Sequence, residues 1–445
     1  QLTFFPEPVG SVARQPGSNN LAFTMDSGGN EYAQLFLLDP TTGKHRMLTD
    51  GESRNGAMVW SDDGNWLAFQ STRRNGASND IWMLNPDKPE EATMVLASED
   101  GSWWGPSDFS KDNRQLLVQQ YISASDSRVY IQQTDSEKKT RIAGGEDNPS
   151  VNFALGFDKS GSGVFLVTNQ QSEFRQLAHL DTKSGELNVI TADIPWNVSE
   201  FTLSDNGERA AFTVNQDGRD VLYLMDTETL TYTAVKDLPM GLIGGLEIGP
   251  QNGKLALTLN TSKTPSDTFV LSLKPKATEY GELTRWTFSE VGGLDTETFV
   301  EPDLIRYESF DGRQIPAFVY KPQSAQPSPV VIYIHGGPEA QFRPSFASTF
   351  QLWAKELGIA VIAPNVRGSS GYGKEYINLD NGFQREDSVK DIGALLDWIA
   401  TQPDLDASRV AVYGGSYGGY MVLASAVHYS DRLKAAVDIV GISNF

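Results

Sequence analysis

Five residues near the end of this sequence have the order that a nucleophilic serine needs: Gly414-Gly415-Ser416-Tyr417-Gly418 satisfies G-x-S-x-G. In that pattern the serine sits in a sharp turn between a strand and a helix, with its hydroxyl exposed and with glycines avoiding collisions across the bend. So short a pattern carries weight only in context. The context is present: the apolar run Val410-Ala411-Val412-Tyr413 leads into it and a helical stretch follows from Tyr417. Upstream, His335-Gly336-Gly337-Pro338 ends a second apolar run, Val330 to Ile334. A glycine-rich loop of that kind supplies a second backbone donor near the nucleophile. The chemistry implied is acyl transfer. Ser416 Oγ would attack a carbonyl carbon, and the backbone N–H groups of Tyr417 and Gly337 would hold the oxyanion. One such donor is typically worth about 3 kcal/mol of transition-state stabilisation.

A serine of this type also needs a base oriented by an acid, and on a parallel-sheet scaffold the order along the chain is serine, acid, base. His335 precedes Ser416 and stands at a strand end, where a structural hydrogen bond is expected of it. His428 is the only later histidine, but twelve residues of helix put it about 18 Å from the serine. Asp438 falls inside the next expected strand. The acid and the base are therefore expected on chain beyond Phe445.

The elements that must position these groups begin near Phe299. Two strands around an Asp311-Gly312 turn lead to Lys321-Pro322 and a Gln/Ser/Ala/Pro linker. Then follow a buried strand over 329–334, a helix over 345–358, a strand over 359–368, a helix over 385–402, the strand that meets Ser416, a helix over 417–430 and a strand over 434–441. Alternation at these lengths predicts a parallel α/β sheet.

The preceding two thirds are built differently. A unit seen as "VWSDDGNWLAFQST" followed by "DIWMLN" returns with a period of about 46 residues. Its turn and second strand reappear near Ala13, Asp108, Gly156, Thr202 and Glu247. Asp-Gly, Asn-Gly and Ser-Gly supply the positive φ angles of tight hairpins. Four antiparallel strands per unit, stacked radially, predict a β-propeller; a solenoid is the competing architecture. Six complete blades are expected, and Gln1-Leu2-Thr3 reads as the last strand of another, which implies a parent with at least seven blades and a sequence cut at both ends. The expected division is a propeller domain at 1–290 and the N-terminal part of an α/β-hydrolase catalytic domain at 291–445.

Composition narrows the partners. The 445 residues carry a formal charge of −21, from 57 acidic and 36 basic side chains. No basic block interrupts that excess, which argues against nucleic acid or an anionic membrane surface. There is no cysteine, hence no disulfide, no Cys-ligated zinc and no thiol nucleophile. No apolar run approaches the roughly 18 residues of a membrane span. Neither a cofactor nor a metal is called for: His45 and His179 lack neighbouring ligand-type residues, and Trp60, Trp66, Trp82, Trp103 and Trp104 read as blade packing. Compartment and oligomeric state stay open.

A propeller followed by an α/β hydrolase with "HGGP", "NVRGSSGYG" (Asn365 to Gly373) and "GGSYGGY" resembles the prolyl oligopeptidase family of serine peptidases, nearest its acylaminoacyl-peptidase and dipeptidyl-peptidase branches. The resemblance implies a seven-bladed propeller that caps the active site, short peptides as substrates, and a catalytic Asp and His later in the chain. Two other readings remain open at this point. One is an esterase using the same elbow; the other is a propeller that binds a partner beside a degenerate hydrolase half.

Overall fold

The computed structural model describes residues 3–251 and 253–444. Gln1 and Leu2, which carry most of the expected remnant strand, lie outside the described residues. The chain divides into two compact units, Gln1–Asp193 and Ile194–Phe445.

The first unit holds four antiparallel four-stranded sheets, each in sequential order. Blade 1 runs from Val12–Arg14 to His45–Met47, blade 2 from Asn55–Trp60 to Lys88–Leu96, blade 3 from Trp103–Phe109 to Lys139–Ala143, and blade 4 from Asn152–Phe157 to Leu187–Val189. Blades 5 (Asn197–Leu203 to Tyr232–Ala234) and 6 (Leu242–Ile248 to Tyr280–Arg285) belong to the second unit. These six sheets are the blades of a β-propeller.

One turn recurs because one local solution recurs. In blade 2, Ser61 Oγ donates to Asp63 Oδ1 (2.7 Å) and accepts from Trp66 N–H (3.0 Å). Ser110 with Asp112 in blade 3 and Ser204 with Asn206 in blade 5 repeat it at 2.7 and 2.8 Å. The left-handed position of the turn is held by Gly64 at φ 69°, and where blade 3 has no glycine Asn113 takes it at φ 59°. Asparagine is among the few side chains that tolerate that region. Strands in the middle of a blade are covered on both faces, as in Gly163–Thr168, where every residue is buried.

A polar residue at the start of an innermost strand fastens one blade to the next. Asn152 of blade 4 is fully buried; its amide donates to Ser127 O (3.0 Å) in blade 3 and to Ser150 O (2.9 Å), and its oxygen accepts from Thr168 Oγ1 (2.7 Å). Asn55 of blade 2 donates to Ala33 O (3.0 Å) of the preceding blade's segment in the same way. Among the aromatic residues, Trp60 and Trp104 are buried, whereas Trp103 is 39% exposed.

In the second unit the two blades are followed by a six-stranded sheet. Its strands are β1 (Asp303–Glu308), β2 (Gln314–Tyr320), β3 (Ser328–Ile334), β4 (Ala360–Pro364), β5 (Leu405–Gly415) and β6 (Ala435–Ile439). The order across the sheet is β1-β2-β4-β3-β5-β6. Pairing is antiparallel for β1/β2 and β2/β4 and parallel for β4/β3, β3/β5 and β5/β6. Helix α1 (Arg385–Thr401) and helix α2 (Tyr417–His428) pack on it, sharing a continuous core with Ile332, Ile362, Val412, Leu395 and Met421. In contrast, all five residues of β6 are exposed.

Two expected elements differ from the sequence reading. The helix anticipated over 345–358 begins only at Ser348, and its second half, Leu352–Glu356, is a wide π-type turn in which Leu357 N–H reaches back to Leu352 O (3.1 Å). The strand anticipated over 359–368 ends at Pro364: Asn365 N–H makes a last bond to Pro316 O on β2 (2.8 Å), and Arg367 N–H turns to the Asp391 carboxylate (2.9 Å). Among the described residues no helix is long and apolar enough to cross a membrane.

Candidate active site

Ser416 stands between β5 and α2 with φ 55° and ψ −119°, a conformation outside the regions that L residues favour. Such an outlier costs on the order of 1–3 kcal/mol and persists only when its surroundings over-determine it. The surroundings here do so. Ser416 N–H donates to Ile439 O (3.0 Å) at the end of β6. On the other side the start of α2 is pressed onto the end of β3: a methyl group at Gly418 would lie 2.1 Å from Ile334 O. Ser416 is itself exposed.

The His335-Gly336-Gly337-Pro338 loop closes against the elbow. A Cβ at Gly336 would come within 3.6 Å of Ser416 Cβ and 3.4 Å of Gly415 O, so the loop and Ser416 are immediate neighbours. Gly337 is exposed, and its peptide bond to Pro338 is cis. Tyr417, as the first residue of α2, has its N–H directed out of the helix end and not toward a carbonyl four residues back. The three residues singled out from sequence are thus gathered at one place.

The "NVRGSSGYG" stretch builds the support under that place. Asn365 grips the segment that follows Gly337, accepting from Phe342 N–H (2.7 Å) and donating to Phe342 O (3.1 Å). Ser370 N–H donates to Ala340 O (2.8 Å). Arg367, with its side chain 4% exposed, lies on the carboxylate of Asp391 from α1 (2.8 Å), with Asp311 as a second partner (3.1 Å). Ser369 Oγ meets His335 Nε2 at 2.9 Å.

His335 is committed by its bonds. Its Nδ1 faces Gly336 O (2.7 Å), which can only accept, so Nδ1 carries the proton and Nε2 accepts from the Ser369 hydroxyl. Burial lowers its pKa below the ordinary histidine value, which keeps the ring neutral. His428 ends α2, exposed, against Glu386 Oε2 (3.0 Å). Among the described residues neither histidine is hydrogen-bonded to Ser416, and no group of His, Cys, Asp and Glu side chains is arranged to hold a metal.

Some residues of the site left no mark that sequence reasoning could use. The Tyr417 hydroxyl is 3.0 Å from Asp380 Oδ2 and 2.8 Å from Ser388 Oγ, partners 37 and 29 residues away. Burial pushes the Tyr417 phenol well above the usual tyrosine range. Within the same unit, the blade 5 hairpin reaches the segment after Gly337: Asn215 Nδ2 donates to Gln341 Oε1 (2.6 Å), and Asp220 pairs with Arg343 (2.6 Å).

Comparison with known proteins agrees with this fold. Residues 8–280 match the profile described as the prolyl oligopeptidase N-terminal β-propeller domain, and residues 344–445 that of the prolyl oligopeptidase family. The chain is 25% identical to dipeptidyl aminopeptidase BIII of Pseudoxanthomonas mexicana, over 96% of its own length and 62% of that protein's. It is 21% identical to a prolyl endopeptidase of Elizabethkingia meningoseptica, covering 98% of this chain and 62% of the relative. It therefore spans about three fifths of the length of these relatives. Among solved structures, a Mycobacterium tuberculosis puromycin-hydrolyzing peptidase superposes with a TM-score of 0.80 at 17% identity, covering 98% of this chain and 69% of that one. Prolyl oligopeptidase B of Galerina marginata bound to a 35mer substrate gives 0.79 at 16% identity, covering 95% and 61%. These structural likenesses bear on the fold.

Proposed function

The chain belongs to the prolyl oligopeptidase family, and from that premise we propose that it carries the nucleophile of a serine peptidase that cleaves short peptides through an acyl-enzyme on Ser416. In this reading Ser416 Oγ attacks the scissile carbonyl, the N–H groups of Tyr417 and Gly337 take the charge that develops on its oxygen, and collapse of the tetrahedral species expels the amine. Water then releases the acyl group. A base other than His335 and His428 accepts the Ser416 proton, since both of those rings are engaged elsewhere. Residues 1–290 serve as the propeller domain and 291–445 as the hydrolase portion, a division supported by the last blade strand ending at Arg285 and β1 beginning at Asp303.

One observation carries the proposal: an exposed serine held at φ 55° on a strand-to-helix elbow, in contact with a glycine loop. A general-purpose turn has no need of that strain. The test is peptide hydrolysis by the full-length protein and by Ser416→Ala, across peptides of graded length with free and acylated amino termini. Hydrolysis should fall by about 10⁴-fold or more in the variant, the scale seen when a triad serine is removed. Activity retained by Ser416→Ala would overturn the assignment.

A further inference from the structure

We infer that Asp380 and Ser388 are positioning residues for the oxyanion donor of Tyr417, acting through the Tyr417 hydroxyl; this rests on the reading of Ser416 and Tyr417 given above. Tyr417 plays two parts in different directions. Its backbone faces the nucleophile, while its ring is 1% exposed and runs into the protein to a polar terminus. There the hydroxyl lies 3.0 Å from Asp380 Oδ2 and 2.8 Å from Ser388 Oγ. Both partners are buried, at 1% and 0%.

Hydrogen accounting fixes the direction of these bonds. The phenol has one proton, and a carboxylate oxygen is the stronger acceptor, so Tyr417 O–H donates to Asp380. Ser388 Oγ then offers its own proton, shared between the Tyr417 oxygen and Arg385 O (2.7 Å). Asp380 is held in turn. Arg385 pairs with it at 2.5 Å and lies 5.4 Å from the Tyr417 ring centroid. Gly368 of the "NVRG" stretch packs so closely on the carboxylate that a methyl group there would be 2.3 Å from Oδ1. Glu339, exposed in the neighbouring loop, is the other charge that Asp380 senses.

The clamp therefore joins three separate stretches, at Asp380, at Arg385 to Ser388 in the first turn of α1, and at the start of α2. Its effect on chemistry follows from where the lever is attached. The ring is rooted at the Cα whose N–H must point at the oxyanion, next to a serine held in a strained conformation. A donor of this kind works because it is already oriented before charge develops. Releasing the hydroxyl lets the first peptide of α2 rotate, and a misplacement of about 1 Å at a reacting centre can cost up to about 100-fold in rate.

The experiment uses the full-length protein with Ser416→Ala, Tyr417→Phe, Ser388→Ala, Asp380→Asn and the double variant Tyr417→Phe/Asp380→Asn, reading kcat, KM and Tm on one fluorogenic peptide. Tyr417→Phe keeps the ring and the N–H and removes only the hydroxyl. Its kcat should fall roughly 10- to 100-fold with KM changed less than about twofold, because the lost interaction acts on the transition state. Ser388→Ala should lower kcat in the same pattern by a smaller factor. In the double variant, Asp380→Asn should add no further loss of kcat to that of Tyr417→Phe, the signature of residues acting through one bond. Should Asp380→Asn fail to fold with Arg385 left without its charge partner, Tyr417→Phe and Ser388→Ala decide the matter. Wild-type kcat in Tyr417→Phe, with or without a lowered Tm, would overturn the clamp while an inert Ser416→Ala left the peptidase reading standing. Activity in Ser416→Ala would overturn both.

Discussion

The blades of the first unit and the six-stranded sheet of the second achieve order in opposite ways. Each blade is local: consecutive strands pair through short turns, and neighbouring blades meet through small shared apolar clusters, such as Trp60 and Leu67 with Ala22 and Leu35, and through single buried side chains such as Asn152. The sheet is non-local. β3 pairs with β5 from more than seventy residues away, one core runs through it, and a fully buried carboxylate, Asp391, ties β4's exit to α1. The difference teaches where damage spreads. A lesion in a blade should stay near that blade, whereas a lesion under the sheet should reach the Ser416 elbow, because the same residues hold both.

That contrast can be broken by experiment. The largest stability effect is expected from Asp391→Ala, which strips Arg367 of the partner it contacts through its backbone N–H (2.9 Å), Nε (3.0 Å) and Nη2 (2.8 Å). Removing one member of a buried pair typically costs about 3–5 kcal/mol, to be measured by chemical denaturation, and labelling of Ser416 should slow with it. Asn152→Ala should cost less, about 1–3 kcal/mol for stranding buried carbonyls, and should leave the chemistry at Ser416 unchanged. If it slowed labelling as much as Asp391→Ala does, the distinction between local and non-local regions would be lost.

A further effect is one of pH. Burial raises the Asp108 carboxyl in blade 3 to about 7, with Asp62 adding to the rise and the N–H groups of Phe157 and Phe109 opposing it. The folded chain therefore keeps a proton that the unfolded chain releases above its ordinary value of 3.8. The contribution to stability is full below that lower value and is lost as pH rises through the folded one. Asp108→Asn should remove this decline between about pH 4 and pH 7 and retain the bond from Phe157 N–H. Denaturation midpoints across that range check it; an unchanged slope would refute it.

Legibility in the sequence follows the same division. The blades could be read because their information is local: turn residues such as Asp63-Gly64 and the returning strand pattern sit within a few residues of each other. That Ser416, Tyr417 and Gly337 lie close together could be read because elbow and loop are each short motifs. The helix over 345–358 was misjudged in length because its π-type turn answers to packing around Phe350 and Trp353, which periodicity does not reveal. The truncation of β4 and the contacts of Asp380, Ser388 and Asp391 were illegible for a related reason. Polar residues in a helix or loop look solvent-facing until the fold brings a partner from tens of residues away.

The most direct test of the central claim is the mass of the full-length protein before and after a fluorophosphonate probe, followed by peptide mapping. One adduct per chain on the peptide containing Ser416, absent in Ser416→Ala, is the predicted result. Unmodified protein, or an adduct on another serine, would contradict the assignment of Ser416 as the nucleophile.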